Sequence, residues 1–149
     1  MRVAVRLGGA MMAIMVGVSG AGLSHAGAAE VSDTLYVELG GRAGIDRIVE
    51  GAFGLFLRDD RVRTDFEETD PVRLKTRLAS QICHLAGGPC VAGSRSMAES
   101  HAALHVDRAR FNAVAEDLQQ AMEDVGVPYW TQNRLMALLA PMQRDIVTR

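Results

Sequence analysis

The sequence predicts an all-α domain, and three observations carry that prediction. Apolar residues recur at helical spacing through much of the chain, as in Ile45, Ile48, Val49, Ala52, Phe53 and Phe56. Helix start and stop signals bracket such stripes: Asp70-Pro71 opens one and Gly87-Gly88-Pro89 closes it. No stretch alternates apolar and polar residues between hairpin turns, as a half-buried sheet would require.

Taken in order, Val31-Ser32-Asp33-Thr34 supplies capping residues for a short helix, Leu35-Tyr36-Val37-Glu38-Leu39, ended by Gly40-Gly41. A second helix carries the Ile45-to-Phe56 stripe and closes at Asp59-Asp60. Phe66 stands alone in a polar stretch from 63 to 69 that reads as a loop or a single turn. An isolated phenylalanine there plugs a core from a corner. After Asp70-Pro71, an apolar stripe of Leu74, Leu78, Ile82 and Leu85 is flanked by Arg73, Lys75 and Arg77. Residues 90–95 form a loop. Ser96 and Glu99 then have capping-box spacing, starting a short helix on which Met97 and His101 share a face one turn apart. Asp107 caps the next helix, whose stripe is Phe111, Val114, Leu118, Met122 and Val125, ended by Gly126 and Pro128. Thr131 is expected to cap the last one, with Leu135, Leu138, Leu139, Met142 and Ile146 inward and a kink at Pro141. About four substantial helices and two short ones, joined by long corners, suit crossed packing around a pocket as well as a parallel bundle.

Length and composition bound the function. A chain of 149 residues with 48% apolar content is one domain with a real core, and a net charge of −2 argues against nucleic acid as a partner. Residues 1–28 belong to another category. Arg2 and Arg6 precede an uncharged run from Leu7 to Leu23, and Ala26-Gly27-Ala28 offers a cleavage site. These residues read as an export signal removed before Ala29. That leaves residues 29–149 as the mature domain, expected in the periplasm and without stable membrane insertion. Cys83 and Cys90 fit the same compartment: an oxidising environment makes the pair a disulfide candidate, whereas the cytosol would make them free thiols or metal ligands.

Three chemistries compete for the polar residues. Cys83, His84, Cys90, His101 and His105 have the donor types of a zinc site, but six residues between the cysteines is wider than the usual knuckle. No serine sits in a nucleophile elbow, no glycine-rich loop joins a strand to a helix, and Asp59-Asp60 and Glu67-Glu68 read as solvated corners. A haem pocket needs a proximal imidazole, an apolar distal wall, an aromatic clamp and a cation near the propionates. His101, Leu74 with Leu78, Phe53 with Phe66, and Arg77 or Lys75 supply that set. The plain alternative is a packed core with one satisfied histidine.

In this order and spacing, these pieces resemble the group I truncated haemoglobins, the two-over-two globins. The resemblance runs from Leu35 to about Val147. It is carried by Leu35 to Gly41, by Ile48-Val49-Glu50 leading to Leu57 to Asp60, and by Phe66, Thr69-Asp70 and Arg73-Leu74-Lys75. Gly87-Gly88-Pro89, Met97 through His101, Phe111 and Val125 to Pro128 complete it. It is similar to a bacterial branch with a cysteine on each side of Gly-Gly-Pro. The resemblance implies a b-type haem, with His101 as the proximal iron ligand and Phe66 as the clamp at the corner. It also implies Leu74 and Leu78 over the distal face, Arg77 at the solvent edge, and Met97 and Phe111 on the proximal side. Phe53 stands where many members have a tyrosine, Leu78 where a glutamine is common, and Ala92-Gly93-Ser94 where Tyr-Thr-Gly is usual. The expected function is therefore binding of oxygen, carbon monoxide or nitric oxide at a largely apolar site, with a reductase as a possible partner. Nitric oxide detoxification or peroxidase-like chemistry on the same haem is one alternative. A zinc-stapled helical interaction module is another.

Overall fold

The computed structural model describes Thr34 to Thr148. The export-signal reading of residues 1–28 lies outside the described residues. Eight α-helical segments and one 3-10 turn follow in order: α1 (Leu35–Glu38), α2 (Gly41–Phe56), α3 (Arg63–Phe66), α4 (Pro71–Leu85), α5 (Met97–His101), α6 (Arg108–Asp124), α7 (Tyr129–Leu139), the 3-10 turn Ala140–Met142, and α8 (Gln143–Ile146). No strand occurs among the described residues.

The caps explain most boundaries. Thr34 Oγ1 accepts from the Val37 amide at 3.4 Å, and Asp70 Oδ1 accepts from Val72 and Arg73 at 3.0 and 3.1 Å, with Pro71 at the first helical position. Asp107 caps α6 through the Arg110 amide at 2.9 Å. Gly40, Gly87 and Gly126 take positive φ at the ends of α1, α4 and α6.

The long helix α2 is the centre of the core, packing against α4 on one side and α6 on the other. Its inward face is Ile45, Ile48, Val49, Ala52, Phe53 and Phe56, all buried. Close approach needs small residues at the crossings. A Cβ on Gly44 would stand 1.9 Å from the Leu39 carbonyl oxygen, and one on Gly51 would stand 3.5 Å from the Ala121 Cβ.

That requirement shifts two expected stripes. On α4 the fully buried residues are Ala79, Ile82 and Cys83, while Leu74, Leu78 and Leu85 are half-buried. On α6 the buried set is Ala113, Asp117, Leu118, Ala121 and Met122; Val125, expected inward, is 40% exposed because it is the residue that ends the helix. Thr131 is not a cap. The last long helix starts two residues earlier, behind Pro128, and Thr131 is buried with its hydroxyl donating to Glu38 Oε2 at 3.0 Å. Pro141 does break this helix, producing the 3-10 turn and redirecting α8. Leu135 is buried as expected, but Leu138 is on the surface. Tyr129 and the chain's one tryptophan, Trp130, are exposed at the start of α7.

No helix among the described residues is long and apolar enough to cross a membrane.

Candidate functional site

The imidazole of His101 is the best-defined polar group of the site. Ser96 and Glu99 form a reciprocal capping box: Glu99 Oε2 accepts from the Ser96 amide at 2.8 Å, and Ser96 Oγ accepts from the Glu99 amide at 3.2 Å. The Ser96 amide, and then the Ser96 hydroxyl donating to Oε2 at 2.9 Å, lower the pKa of the Glu99 carboxyl. The result is a helix of only five residues with a capped start. At its end, His101 Nδ1 lies 2.8 Å from the Met97 carbonyl oxygen. A carbonyl can only accept, so Nδ1 is the donor, and in the neutral ring Nε2 then keeps its lone pair. That tautomer suits an imidazole that ligates a metal through Nε2, with the backbone bond fixing the ring.

The apolar residues expected around it are half-buried rather than sealed in the core. Phe66 ends α3 and stacks on Phe56, ring centroids 4.7 Å apart. Leu74 and Leu78 lie on α4, Met97 one turn before His101, and Phe111 in the first turn of α6; all are half-buried. Phe53, on α2, is 9% exposed. Phe66, Leu74 and Leu78 are packed against the main core cluster, so they form its boundary. Large apolar side chains left at the edge of a core match a site that takes a flat hydrophobic group.

Arg77 is exposed on α4 and forms no salt bridge among the described residues. Its neighbour Lys75, weighed with it as the pocket's cation, behaves differently. Lys75 Nζ is 2.6 Å from Glu50 Oε2 and 5.7 Å from the centroid of the Phe53 ring, so it ties α4 to α2. Two surface clefts, about 330 and 460 Å3, flank this framework; the first is lined in part by Glu50, Val72 and Lys75, the second by Leu35, Ala86 and Leu138. Neither includes His101.

The corner after α4 is tightly built. Cys83 and Cys90 meet across it, with Cα atoms 5.8 Å apart and the sulfurs at bonding distance. A Cβ on Gly88 would stand 2.7 Å from Cys83 Sγ and 2.5 Å from Tyr36 Cδ2, so only glycine fits there. With the sulfurs facing each other, they are not poised as zinc ligands. No group of three His, Cys, Asp or Glu side chains converges on a metal position among the described residues. His84, exposed, points Nδ1 at the Cys90 carbonyl oxygen, 3.2 Å away.

Sequence reasoning missed two features. Lys75 and Glu50 are 25 residues apart and meet only because α2 crosses α4. Asp117 was hidden inside an apolar stripe: it is buried, and its Oδ2 has no hydrogen-bond partner. Burial first, and then the nearby Asp59 carboxylate, push its pKa up.

Comparison with known proteins converges on one group. The bacterial-like globin family profile matches residues 34–148. The group 1 truncated hemoglobin GlbN of Synechocystis sp. is 31% identical over 99 residues, covering 64% of this chain and 80% of that one. A crystal structure of truncated hemoglobin from Tetrahymena pyriformis, a tyrosine-to-phenylalanine mutant in the Fe(III) form, superposes with a TM-score of 0.74. It has 25% identity and covers 78% of this chain and 99% of that one. The 2/2 hemoglobin of Synechococcus sp., solved in the cyanomet state with covalently attached heme, gives a TM-score of 0.72 at 26% identity. It likewise covers 78% and 99%. A helical sandwich centred on α2, with a ligating-type histidine on a five-residue helix, therefore belongs to the bacterial-like globin family, among the group 1 truncated haemoglobins.

Proposed function

We propose that this protein is an exported truncated globin that holds one b-type haem and binds a diatomic gas on an apolar distal side. The haem-binding, gas-binding function is that of the family to which the chain belongs. The assignment of residues rests above all on one observation, the 2.8 Å contact between His101 Nδ1 and the Met97 carbonyl, which leaves Nε2 free to hold iron. When bound, the haem would supply an iron able to take up oxygen, carbon monoxide or nitric oxide.

The chain's own residues do the rest. His101 would hold the iron, with Met97 and Phe111 on the same side of the haem. Phe66, stacked on Phe56, would clamp the macrocycle at the corner. Phe53, Leu74 and Leu78 would form the distal wall, and the exposed Arg77 would meet the propionates at the solvent edge. None of the three distal side chains carries a hydrogen-bond donor. Oxygen draws electron density when it binds and gains from a donor, whereas carbon monoxide gains much less, so this wall favours carbon monoxide. A reductase partner would keep the iron ferrous.

Export rests on the basic start, uncharged run and Ala-Gly-Ala site of residues 1–28, and it accords with a bonded Cys83–Cys90 pair in an oxidising compartment. We expect the purified protein to show a Soret band that shifts with carbon monoxide. His101→Ala should lose haem, or retain it only with added imidazole, while His84→Ala should not. The reverse pattern would reject the ligand assignment. Thiol titration of unreduced, exported protein should find no free thiol.

A further inference from the structure

We infer that the C-terminal segment, Gln143 to Thr148, is a positioning element for His101. This rests on the haem reading above. The hydrogen bond from Nδ1 to the Met97 carbonyl ties the ring to its own helix, so whatever places α5 also places Nε2. That helix cannot place itself. It has five residues, none of them buried, and an isolated helix of that length is not stable in water. The segment leading into it, 91–96, is exposed throughout, with Val91 87% exposed. The segment leading out bends at His105, a non-glycine residue at φ +50°. A strained, exposed turn holds only when its surroundings fix it.

What fixes it lies at the other end of the chain. The main packing partner of α5 is α8, a four-residue helix that also rests on α6 and on the Pro141 turn. The half-buried residues of this segment are Gln143, Ile146 and Val147, while Arg144 and Asp145 face water. Just beyond, the Thr148 amide donates to the Val106 carbonyl at 2.9 Å, next to the strained His105. The C-terminus thus grips the His101 segment twice, through α8 on the helix and through one backbone bond on the turn. The break at Pro141 acquires a purpose: it turns the last residues of the chain onto α5.

Thr148→Pro removes the second grip alone. Val147 has φ −78° and ψ 118°, extended backbone that tolerates a following proline. Ile146→Ala loosens the first. In the ferrous haem-loaded protein, resonance Raman should show the iron–histidine stretching band shifted or broadened in both variants. Transfer of haem to an excess of apomyoglobin should run about three- to tenfold faster, the scale of one lost hydrogen bond. Wild-type band and wild-type transfer rate in both variants would overturn the inference. Faster transfer with an unchanged band would overturn it too, because the segment would then merely close the pocket. A wild-type protein without a Soret band would instead reject the haem reading itself.

Discussion

Phe53 and Asp117 show how single residues set function and stability here. Phe53 is nearly buried on α2, with the Lys75 ammonium held by Glu50 on its outer side. Phe53→Tyr adds one hydroxyl to the proposed distal wall. We expect oxygen dissociation to slow about ten- to a hundredfold, equivalent to roughly 1.4–2.8 kcal/mol, with carbon monoxide binding nearly unchanged. Stopped-flow measurement of both gases checks this. Unchanged oxygen release would mean that a donor already reaches the ligand, Gln81 on α4 being the first to replace. Asp117 has no such use: its carboxyl is buried with an unpartnered oxygen beside Asp59. Its raised pKa means that the folded state holds the proton more readily than the unfolded one. The stabilising contribution is therefore present below about pH 4 and is lost as pH rises through the folded pKa. Asp117→Asn should stabilise the protein by about 1 kcal/mol at pH 7, with the gain shrinking toward pH 4, as urea unfolding at both pH values would show. Asp59 slopes the other way. Its bonds to Arg61 hold its pKa down, so its contribution is present above the ordinary carboxylate range and fades as pH falls.

Helices and their junctions account for what could and could not be read beforehand. The caps at Asp70, Ser96 and Asp107 were legible because an N-cap is a local contract between a side chain and an amide two or three residues on. The expected inward positions of Val125 and Leu138 were not met, Val125 because it ends its own helix, and the capping role of Thr131 was not met because a residue distant in sequence claims its hydroxyl. Thr131 is taken up by Glu38, 93 residues away, which also pairs with Arg134. The same limit applied to α4, where Ala79 and Cys83 are buried because α2 comes close, leaving the larger leucines at the core's edge. The α1–α2 junction depends on Gly44. Gly44→Ala would drive a methyl into the Leu39 carbonyl, and since backbone must move, a loss of roughly 3 kcal/mol or more in thermal or urea unfolding is expected. The Cys83–Cys90 corner is less costly. Its small loop limits the entropic effect, so Cys83→Ser with Cys90→Ser should destabilise by about 2 kcal/mol, plus whatever the buried Cys83 hydroxyl adds.

Across the described residues, the core is organised by α2, while the proposed site residues lie at its boundary. His101 sits on a five-residue helix without a buried residue, and Phe66, Leu74, Leu78 and Phe111 are half-covered. A protein built this way gains much of its rigidity from what it binds. At free haem about a thousandfold above its dissociation constant, linkage adds about 4 kcal/mol. Calorimetry should therefore find the haem-loaded protein melting roughly 10–20 °C above the haem-free chain. Equal melting temperatures would mean that haem does not bind the folded state preferentially. The exposure of Trp130 gives the laboratory a further handle. With one tryptophan, 69% exposed at the start of α7, the chain has a single fluorophore of that kind whose surroundings are already aqueous when folded. Its emission colour will hardly register unfolding. A domain of this size has a radius of gyration of about 13 Å, so a haem anywhere within it lies close enough to take up the indole's excitation energy. Its brightness therefore becomes a titratable measure of occupancy: dim when loaded, bright when empty, with no label attached.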